Sequence, residues 1–149
     1  MNSKIIFKPV TEDDFEEILK LEKESFNKYD RLDRETLIEI FSEFSEGFYT
    51  LISDGIMAGY SVFYIEKNRG YIESIAIKNI FRRRGFGRTA LKFMIKRMND
   101  MDIKEINLHV RFENREAISL YEKEGFVREG IADGFYTDGE PAYLYTRHS

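Results

Sequence analysis

The chain has 149 residues, the length of one ordinary domain, and we expect residues 1–149 to form a single domain. Hydrophobic residues make up 42% of the chain and charged residues 34%, which supports a folded core and excludes collagen-like and disordered classes. The net charge of −4 argues against a nucleic-acid partner. Two histidines without any cysteine are too few for most zinc sites, so we expect no metal.

The sequence carries no signal for export or membrane insertion. Residues 1–7 lack the apolar run of a signal peptide, and no segment approaches the roughly 20 apolar residues that span a bilayer. We therefore expect a cytoplasmic protein with no membrane partner, and the absence of cysteine fits a reducing compartment.

The first predicted elements are a short strand over residues 4–10 and a helix that begins at Thr11. A hydroxyl cap followed by carboxylates satisfies the free N–H groups at the positive end of a helix. Phe15 and Ile18 begin an apolar face, while seven of residues 11–24 are Asp or Glu. Two interpretations of this acidic helix stay open: a solvated face, or a rim of carboxylates that attracts a cationic amine substrate.

A second helix is predicted around Leu37, Ile40 and Phe44, with Asp30 or Asp33 as its N-cap. The spacing then changes to the two-residue period of strands, interrupted by polar turns with glycine. The predicted strands of this antiparallel meander cover residues 48–53, 56–65 and 71–77.

In the second half of the chain, predicted helices alternate with strands. A long helix follows a basic glycine loop, and its inward residues are Leu91, Met94, Ile95, Met98 and Met101. The next predicted elements are a strand at 106–110, a helix at 114–123 closed by Gly125, and strands near 126–131 and 143–147. The order β-α-α-β-β-β-α-β-α-β-β predicts an α/β (α+β) fold with a mixed, mostly antiparallel sheet.

The loop before the long helix has the composition of an anion site. It comprises Arg82-Arg83-Arg84-Gly85-Phe86-Gly87 and follows a predicted strand. Glycines let the backbone approach a ligand, and a helix N-terminus directs free N–H groups at it, which suits a phosphate. The loop lacks the Gly-Lys-Ser/Thr of a Walker loop and the first glycine of a dinucleotide fingerprint. Taken alone, it is equally a basic helix start without a ligand.

This loop resembles the pyrophosphate-binding motif of the GNAT acyl-coenzyme A transferase superfamily. A second segment, NREAISLYEKEGF at residues 114–126, begins 27 residues beyond Gly87 and is similar to the family's Asn-x-x-Ala-x-x-Leu-Tyr-x-x-x-Gly-Phe helix. The two motifs occur in the family's order, and by them the chain is identified as a member of this superfamily. The match is close over residues 75–126, whereas residues 1–70 match only in their order of elements.

The resemblance implies a sheet with helices on both faces that splays open between the strands at 71–77 and 106–110, where acetyl-CoA lies. It implies that strand backbone pairs with the pantetheine arm, while amides of the glycine loop hold the pyrophosphate. The residues that the resemblance assigns to acetyl-CoA are Ile75, Ala76, Ile77, Arg83, Arg84, Gly85, Phe86, Gly87, Arg88, Thr89, Asn114 and Tyr121.

Within the superfamily, Leu108-His109-Val110-Arg111 and Gly134-Phe135-Tyr136 are most similar to the protein N-terminal acetyltransferases of the ribosomal-protein-alanine and archaeal types. The resemblance implies a general base at His109 paired with Tyr71, and a general acid at Tyr121 that protonates the departing thiolate. The bacterial type carries Glu at the base position, so this chain departs from it there. By residue type alone, all three candidates are also compatible with packing roles, His109 as an inward core histidine.

The chemistry favours these residue types. An α-amine has a pKa of about 7.7–8.0 and a lysine amine about 10.4, and either must lose a proton before it attacks a thioester. An imidazole is suited to accept that proton from the α-amine near pH 7. Because the chain has no cysteine for an acyl-enzyme, direct attack in a ternary complex is the simpler mechanism.

The sequence predicts fewer residues for binding the acceptor substrate than for binding acetyl-CoA. By analogy with the family, Phe26, Tyr29 and Tyr136 are expected to wall the first residues of the peptide. Glu73 lies two positions after Tyr71, hence on the same strand face, and is an alternative base or a group that recognises the ammonium.

Two other functions stay open. One is acetylation of a small amine, a polyamine or a lysine side chain, for which the acidic first helix would collect the cation. The other is a non-catalytic acyl-CoA sensor. The expected partner is therefore a protein N-terminus or a small amine, and the protein is expected as a monomer or homodimer, with association with the ribosome or an auxiliary subunit left open.

Overall fold

Helices and strands follow one another in the predicted order in the structure, a computed structural model that describes residues 4–26, 31–136 and 138–149. The helices are Phe15–Ser25 (α1), Arg34–Glu43 (α2), Phe86–Asp100 (α3) and Arg115–Lys123 (α4). The strands are Ile5–Pro9 (β1), Phe48–Ser53 (β2), Ile56–Glu66 (β3), Arg69–Ile77 (β4), Glu105–Arg111 (β5), Val127–Ala132 (β6) and Ala142–His148 (β7). Met101, predicted to lie inside the long helix, comes just after its last residue.

The predicted cap at Asp33 is confirmed, whereas α1 begins at Phe15, four residues later than predicted. The Thr11 N–H donates to Oδ2 of Asp14 at 2.8 Å, and one 3-10 turn, Glu12–Asp14, precedes α1. Asp33 is the N-cap of α2, because its Oδ1 accepts the Thr36 N–H at 2.8 Å, and this hydrogen bond lowers the pKa of Asp33. The other candidate cap, residue 30, lies outside the described residues.

Hydrogen bonding orders the strands β1-β2-β3-β4-β5-β7-β6. β4 and β5 pair in parallel, with Gly70 opposite Ile106 and Tyr71 opposite Asn107. The pairs β1–β2, β2–β3, β5–β7 and β6–β7 are antiparallel. The predicted α/β fold with a mixed, mostly antiparallel sheet is therefore confirmed.

The chain divides into two compact units, Met1–Tyr64 with Glu73–Met94 (the first unit) and Ile65–Ile72 with Ile95–Ser149 (the second unit). The buried residues of the first unit include Ile18, Leu37, Phe48, Tyr60 and Val62 in one cluster and Leu51, Ala58, Phe81, Phe86 and Ala90 in another. Those of the second unit include Ile106, Leu108, Val110, Phe126 and Tyr145. The single domain expected over residues 1–149 stays a prediction.

Candidate active site

The arginine-glycine loop of the first unit ends at the N-terminus of α3. The backbone angle φ is 60° at Arg83 and 82° at Gly85, so both residues are in the left-handed region. A Cβ placed on Gly85 would meet nothing within 4 Å, so the space beside this glycine is open. Thr89 donates its N–H and its hydroxyl to the Gly85 carbonyl at 3.0 and 2.9 Å, which fixes the first turn of the helix.

Arg82 holds the start of this loop in place. Its Nε donates to the Ile77 carbonyl at 3.0 Å, and its Nη2 donates to the Ser25 hydroxyl at 3.1 Å. The guanidinium therefore links the end of β4 to the last residue of α1. Arg83 is exposed, whereas the Arg84 guanidinium lies 5.4 Å from the ring centres of both Phe81 and Phe86.

The end of β4 is a fixed stretch of backbone within the first unit. Ala76 and Ile77 are buried, and Ile75 packs against the same cluster as Ile77. The Lys78 N–H donates to the Ala58 carbonyl of β3 at 2.8 Å. The three residues assigned to the pantetheine arm thus lie on a strand whose position β3 holds.

His109 lies on β5 in the second unit and is exposed, so its interpretation as an inward core histidine is wrong. Its imidazole stacks on the Phe135 ring, with centres 4.3 Å apart and planes at 7°. Loss of hydration lowers the pKa of His109 below its ordinary value of 6.5. The imidazole is therefore neutral at pH 7, which is the form that accepts a proton.

Tyr71 shares a strand face with His109. Tyr71 pairs with Asn107 in the parallel ladder, and paired residues of a sheet point to the same side. His109 lies two positions beyond Asn107, so it points to that side as well. The register thus agrees with the predicted Tyr71 and His109 pair.

The pKa of Tyr121 is shifted in the opposite direction to that of His109. It lies on α4, its ring centre 5.8 Å from that of Phe126. Lost hydration, and secondarily the phenol of Tyr136, raises the pKa of Tyr121 to about 12. The phenol therefore keeps its proton at neutral pH and can donate it.

Asn114 and Gly125 delimit the helix that carries Tyr121. Oδ1 of Asn114 accepts the Ala117 N–H at 3.2 Å, so this residue is the N-cap of α4. The chain leaves the helix at Gly125, whose φ is 92°, as predicted. Asn114 thus has a structural task beside the contact with acetyl-CoA that the family motif implies.

The residues predicted for the acceptor peptide belong to both units. Phe26 ends α1 and packs, partly buried, against the core of the first unit. Glu73 is an exposed residue of β4, and loss of hydration raises the pKa of its carboxyl. Tyr136 belongs to the second unit, and Tyr29 lies outside the described residues.

Some of the acidic residues around α1 form ion pairs within the first unit. Glu16 pairs with Arg34, and Glu17 pairs with Lys78. Such pairs at the surface are typical of a solvated face and reduce the field that a cationic substrate would meet.

Glu22 differs from the other acidic residues of α1 because it is buried. Its carboxylate accepts a hydrogen bond from the Tyr60 hydroxyl, which lies 3.4 Å from Oγ of Ser74. This polar chain links α1, β3 and β4, and the sequence contains no signal for a role of Tyr60 or Ser74.

Two further residues were given no role from the sequence, Phe135 and Arg111. Phe135 covers the His109 ring, and the Arg111 guanidinium lies 4.0 Å from the ring centre of Tyr136. The two-residue period of β5 was a usable signal, because it places Arg111 on the same strand face as His109.

Within the described ranges, no group of three or more His, Cys, Asp or Glu side chains has the arrangement of a metal site. No helix in those ranges is long and apolar enough to cross a bilayer.

Residues 14–126 match the acetyltransferase (GNAT) family, and the chain belongs to that family. The membership predicted from the two motifs is thereby confirmed, and the protein is an N-acetyltransferase. The chain is 33% identical over 152 residues to the N-alpha-acetyltransferase of Saccharolobus solfataricus. The alignment covers 91% of this chain and 87% of that protein.

Two solved structures share the fold at lower sequence identity. Ard1 from Thermoplasma volcanium aligns with a TM-score of 0.89 at 22% identity, covering 97% of each chain. Arabidopsis thaliana Naa50, solved with the bisubstrate analogue CoA-Ac-MVNAL, aligns with a TM-score of 0.83 at 20% identity, covering 97% of this chain and 98% of that one.

Proposed function

We propose that this enzyme transfers the acetyl group of acetyl-CoA to the α-amine of a protein N-terminus by direct attack. The observation that carries the proposal is the position of His109 in the second unit, on the strand face that it shares with Tyr71, together with the phenol of Tyr121 on α4 of the same unit. A base that is neutral and an acid that is protonated at the same pH are the two groups that this transfer needs. The relationship to the Saccharolobus solfataricus N-alpha-acetyltransferase supports the same class of substrate.

The proton-transfer step favours an α-amine over a lysine. The pKa of His109 lies below 6.5, and the pKa of a lysine amine, about 10.4, lies roughly 2.5 units farther above it than that of an α-amine, about 7.7–8.0. Each pKa unit corresponds to about 1.4 kcal/mol, so deprotonation of the lysine is disfavoured by roughly 3.5 kcal/mol relative to the α-amine in this step. A protein N-terminus is therefore the better acceptor for this base.

In the proposed reaction, acetyl-CoA supplies the thioester. His109, directly or through a water held with Tyr71, accepts the proton that the attacking amine loses. Tyr121 gives its hydroxyl proton to the sulfur as the carbon–sulfur bond breaks. Each residue thus moves one proton, and neither forms a bond to the acetyl group.

The residues of the first unit fit acetyl-CoA. The open space beside Gly85 and the N-terminus of α3 suit a pyrophosphate, since the first N–H groups of a helix have no partner within it. The exposed Arg83 adds positive charge, while the backbone of Ile75–Ile77 would pair with the pantetheine arm. We place this reaction in the cytoplasm, where acetyl-CoA and new protein N-termini are both available.

A comparison of two peptides tests the proposal. One has a free α-amine and blocked lysines, and the other has a blocked N-terminus and one free lysine. Turnover of acetyl-CoA is followed by released thiol, which is simple here because the enzyme has no cysteine. We expect acetylation of the free α-amine peptide alone, located by mass spectrometry.

Acetylation of the lysine peptide at an equal or higher kcat/KM would contradict the proposal. So would turnover of a polyamine when neither peptide reacts. Binding of acetyl-CoA without turnover of any amine would instead identify a sensor. The peptide series then varies the first two residues to find the preferred N-terminus.

A further inference from the structure

Arg111 lies at the centre of a cluster of aromatic and carboxylate side chains in the second unit. Its guanidinium is 4.0 Å from the ring centre of Tyr136. Its Nη1 also contacts both carboxylate oxygens of Asp138, at 3.2 and 3.0 Å, and Oε1 of Glu140 at 3.3 Å. The Arg111 side chain is only 15% exposed, so these contacts are shielded from water.

Tyr136, Asp138 and Glu140 lie between β6 and β7, in residues 133–136 and 138–141, which we name the tyrosine loop. Within it the Tyr136 N–H donates to the Glu140 carbonyl at 3.1 Å, and the Glu140 N–H donates to Asp138 Oδ1 at 3.0 Å. The Glu140 N–H and then Arg111 lower the pKa of Asp138, so its carboxylate stays charged near neutral pH. Arg111 therefore clamps the loop on both sides of its turn.

A residue of β5 also contacts Phe135, the residue just before Tyr136. His109 stacks on Phe135, and the Phe135 ring meets the Tyr136 ring edge-on, with centres 4.9 Å apart. Two residues on one face of β5, His109 and Arg111, thus contact two consecutive aromatic residues of the tyrosine loop. Phe135 is 47% exposed, so burial alone does not hold this residue in place.

We infer that Arg111 is a positioning residue, which holds Tyr136 where the acceptor peptide binds and keeps Phe135 against His109. The inference rests on the proposed function, because it takes Tyr136 as part of the peptide site. Arg111 itself touches no reacting atom. The task needs a planar cation that stacks on a ring while it pairs with carboxylates, which arginine does and lysine does not.

Arg111→Met and Arg111→Lys test the inference, with Arg128→Met as the matched control. Arg128 lies 4.4 Å from the ring centre of Tyr143, so the control removes the same kind of contact from β6. We expect both Arg111 variants to raise KM for an α-amine peptide about tenfold or more, since small displacements at a site cost rate steeply. KM for acetyl-CoA should stay the same, and Arg128→Met should leave both constants unchanged.

Amide hydrogen exchange provides a readout that needs no activity. Exchange should rise about tenfold or more in the tyrosine loop of Arg111→Met and stay unchanged in α4, because the clamp acts locally. An unchanged peptide KM, full rescue by Arg111→Lys, or unchanged exchange in the loop would each overturn the inference. If the wild-type enzyme acetylates no peptide, the proposed function fails, and exchange alone decides whether Arg111 clamps the loop.

Discussion

The two units carry their proposed tasks with different parts of the chain. In the first unit, the proposed coenzyme site is formed by backbone, through the left-handed residues Arg83 and Gly85 and the start of α3. In the second unit, the proposed proton transfers depend on two side chains, His109, whose surroundings lower its pKa, and Tyr121, whose surroundings raise its pKa. A backbone site depends on local conformation, whereas a side-chain site depends on neighbours distant in sequence.

This difference predicts how each unit responds to mutation. Removal of one functional atom in the second unit should abolish a proton transfer while leaving the binding of acetyl-CoA intact. A change in the first unit should instead alter affinity for acetyl-CoA and leave the chemical step intact. The largest effects are therefore expected in the second unit.

Tyr121→Phe should have the largest effect, a fall in kcat of about 10²–10⁴-fold, because the departing thiolate loses its proton donor. The dissociation constant of acetyl-CoA, measured by calorimetry, should stay within about twofold. Tyr145→Phe is the control, since it removes a phenol that donates to Glu122 at 2.8 Å in the same unit. Full activity of Tyr121→Phe would remove this residue from the mechanism.

His109→Gln should lower kcat about tenfold at pH 7, less than the loss of the acid, because part of an α-amine is already neutral there. Its pKa lies below 6.5, so wild-type kcat should fall only as the pH drops below that value and His109 gains a proton. In the variant the fall should begin near pH 7.7–8.0, roughly the pKa of the amine itself.

The pH–rate profile has a matched control in the second histidine of the chain. His148 lies in the same unit and contacts Glu129 Oε1 at 3.0 Å. His148→Gln should leave the acid limb of the profile in place. If His109→Gln also leaves it in place, His109 is not the base, and Glu73 becomes the residue to test next.

The order of the elements and the caps at Asp33 and Gly125 could be predicted, because they depend on residues a few positions apart. The presence of a glycine loop before α3 could be predicted for the same reason, because its arginines and glycines are adjacent in sequence. Sequence could not show that Phe135 covers His109, since 26 positions separate the two residues. It also could not show that Glu22 is buried against Tyr60, because acidic residues crowd that helix and only tertiary contact distinguishes one of them.

Gly85→Ala addresses the first unit and should have the smallest effect on turnover. At a φ of 82° an alanine costs roughly 1–2 kcal/mol of folding stability, and its methyl group would occupy the open space where the pyrophosphate is proposed to lie. We expect KM for acetyl-CoA to rise about fivefold to tenfold with kcat nearly unchanged. The reason is that the lost contact stabilises the bound coenzyme equally in the ground state and in the transition state.

Gly55→Ala separates the two causes of that effect. Gly55 turns the chain between β2 and β3 at a φ of 78°, and a Cβ there also meets nothing within 4 Å. Both variants should therefore lose a similar free energy of unfolding, measured by urea denaturation. Only Gly85→Ala should lose affinity for acetyl-CoA, because only that methyl group points into the proposed anion site. Equal KM values in the two variants would show that the loop does not bind the coenzyme through its backbone.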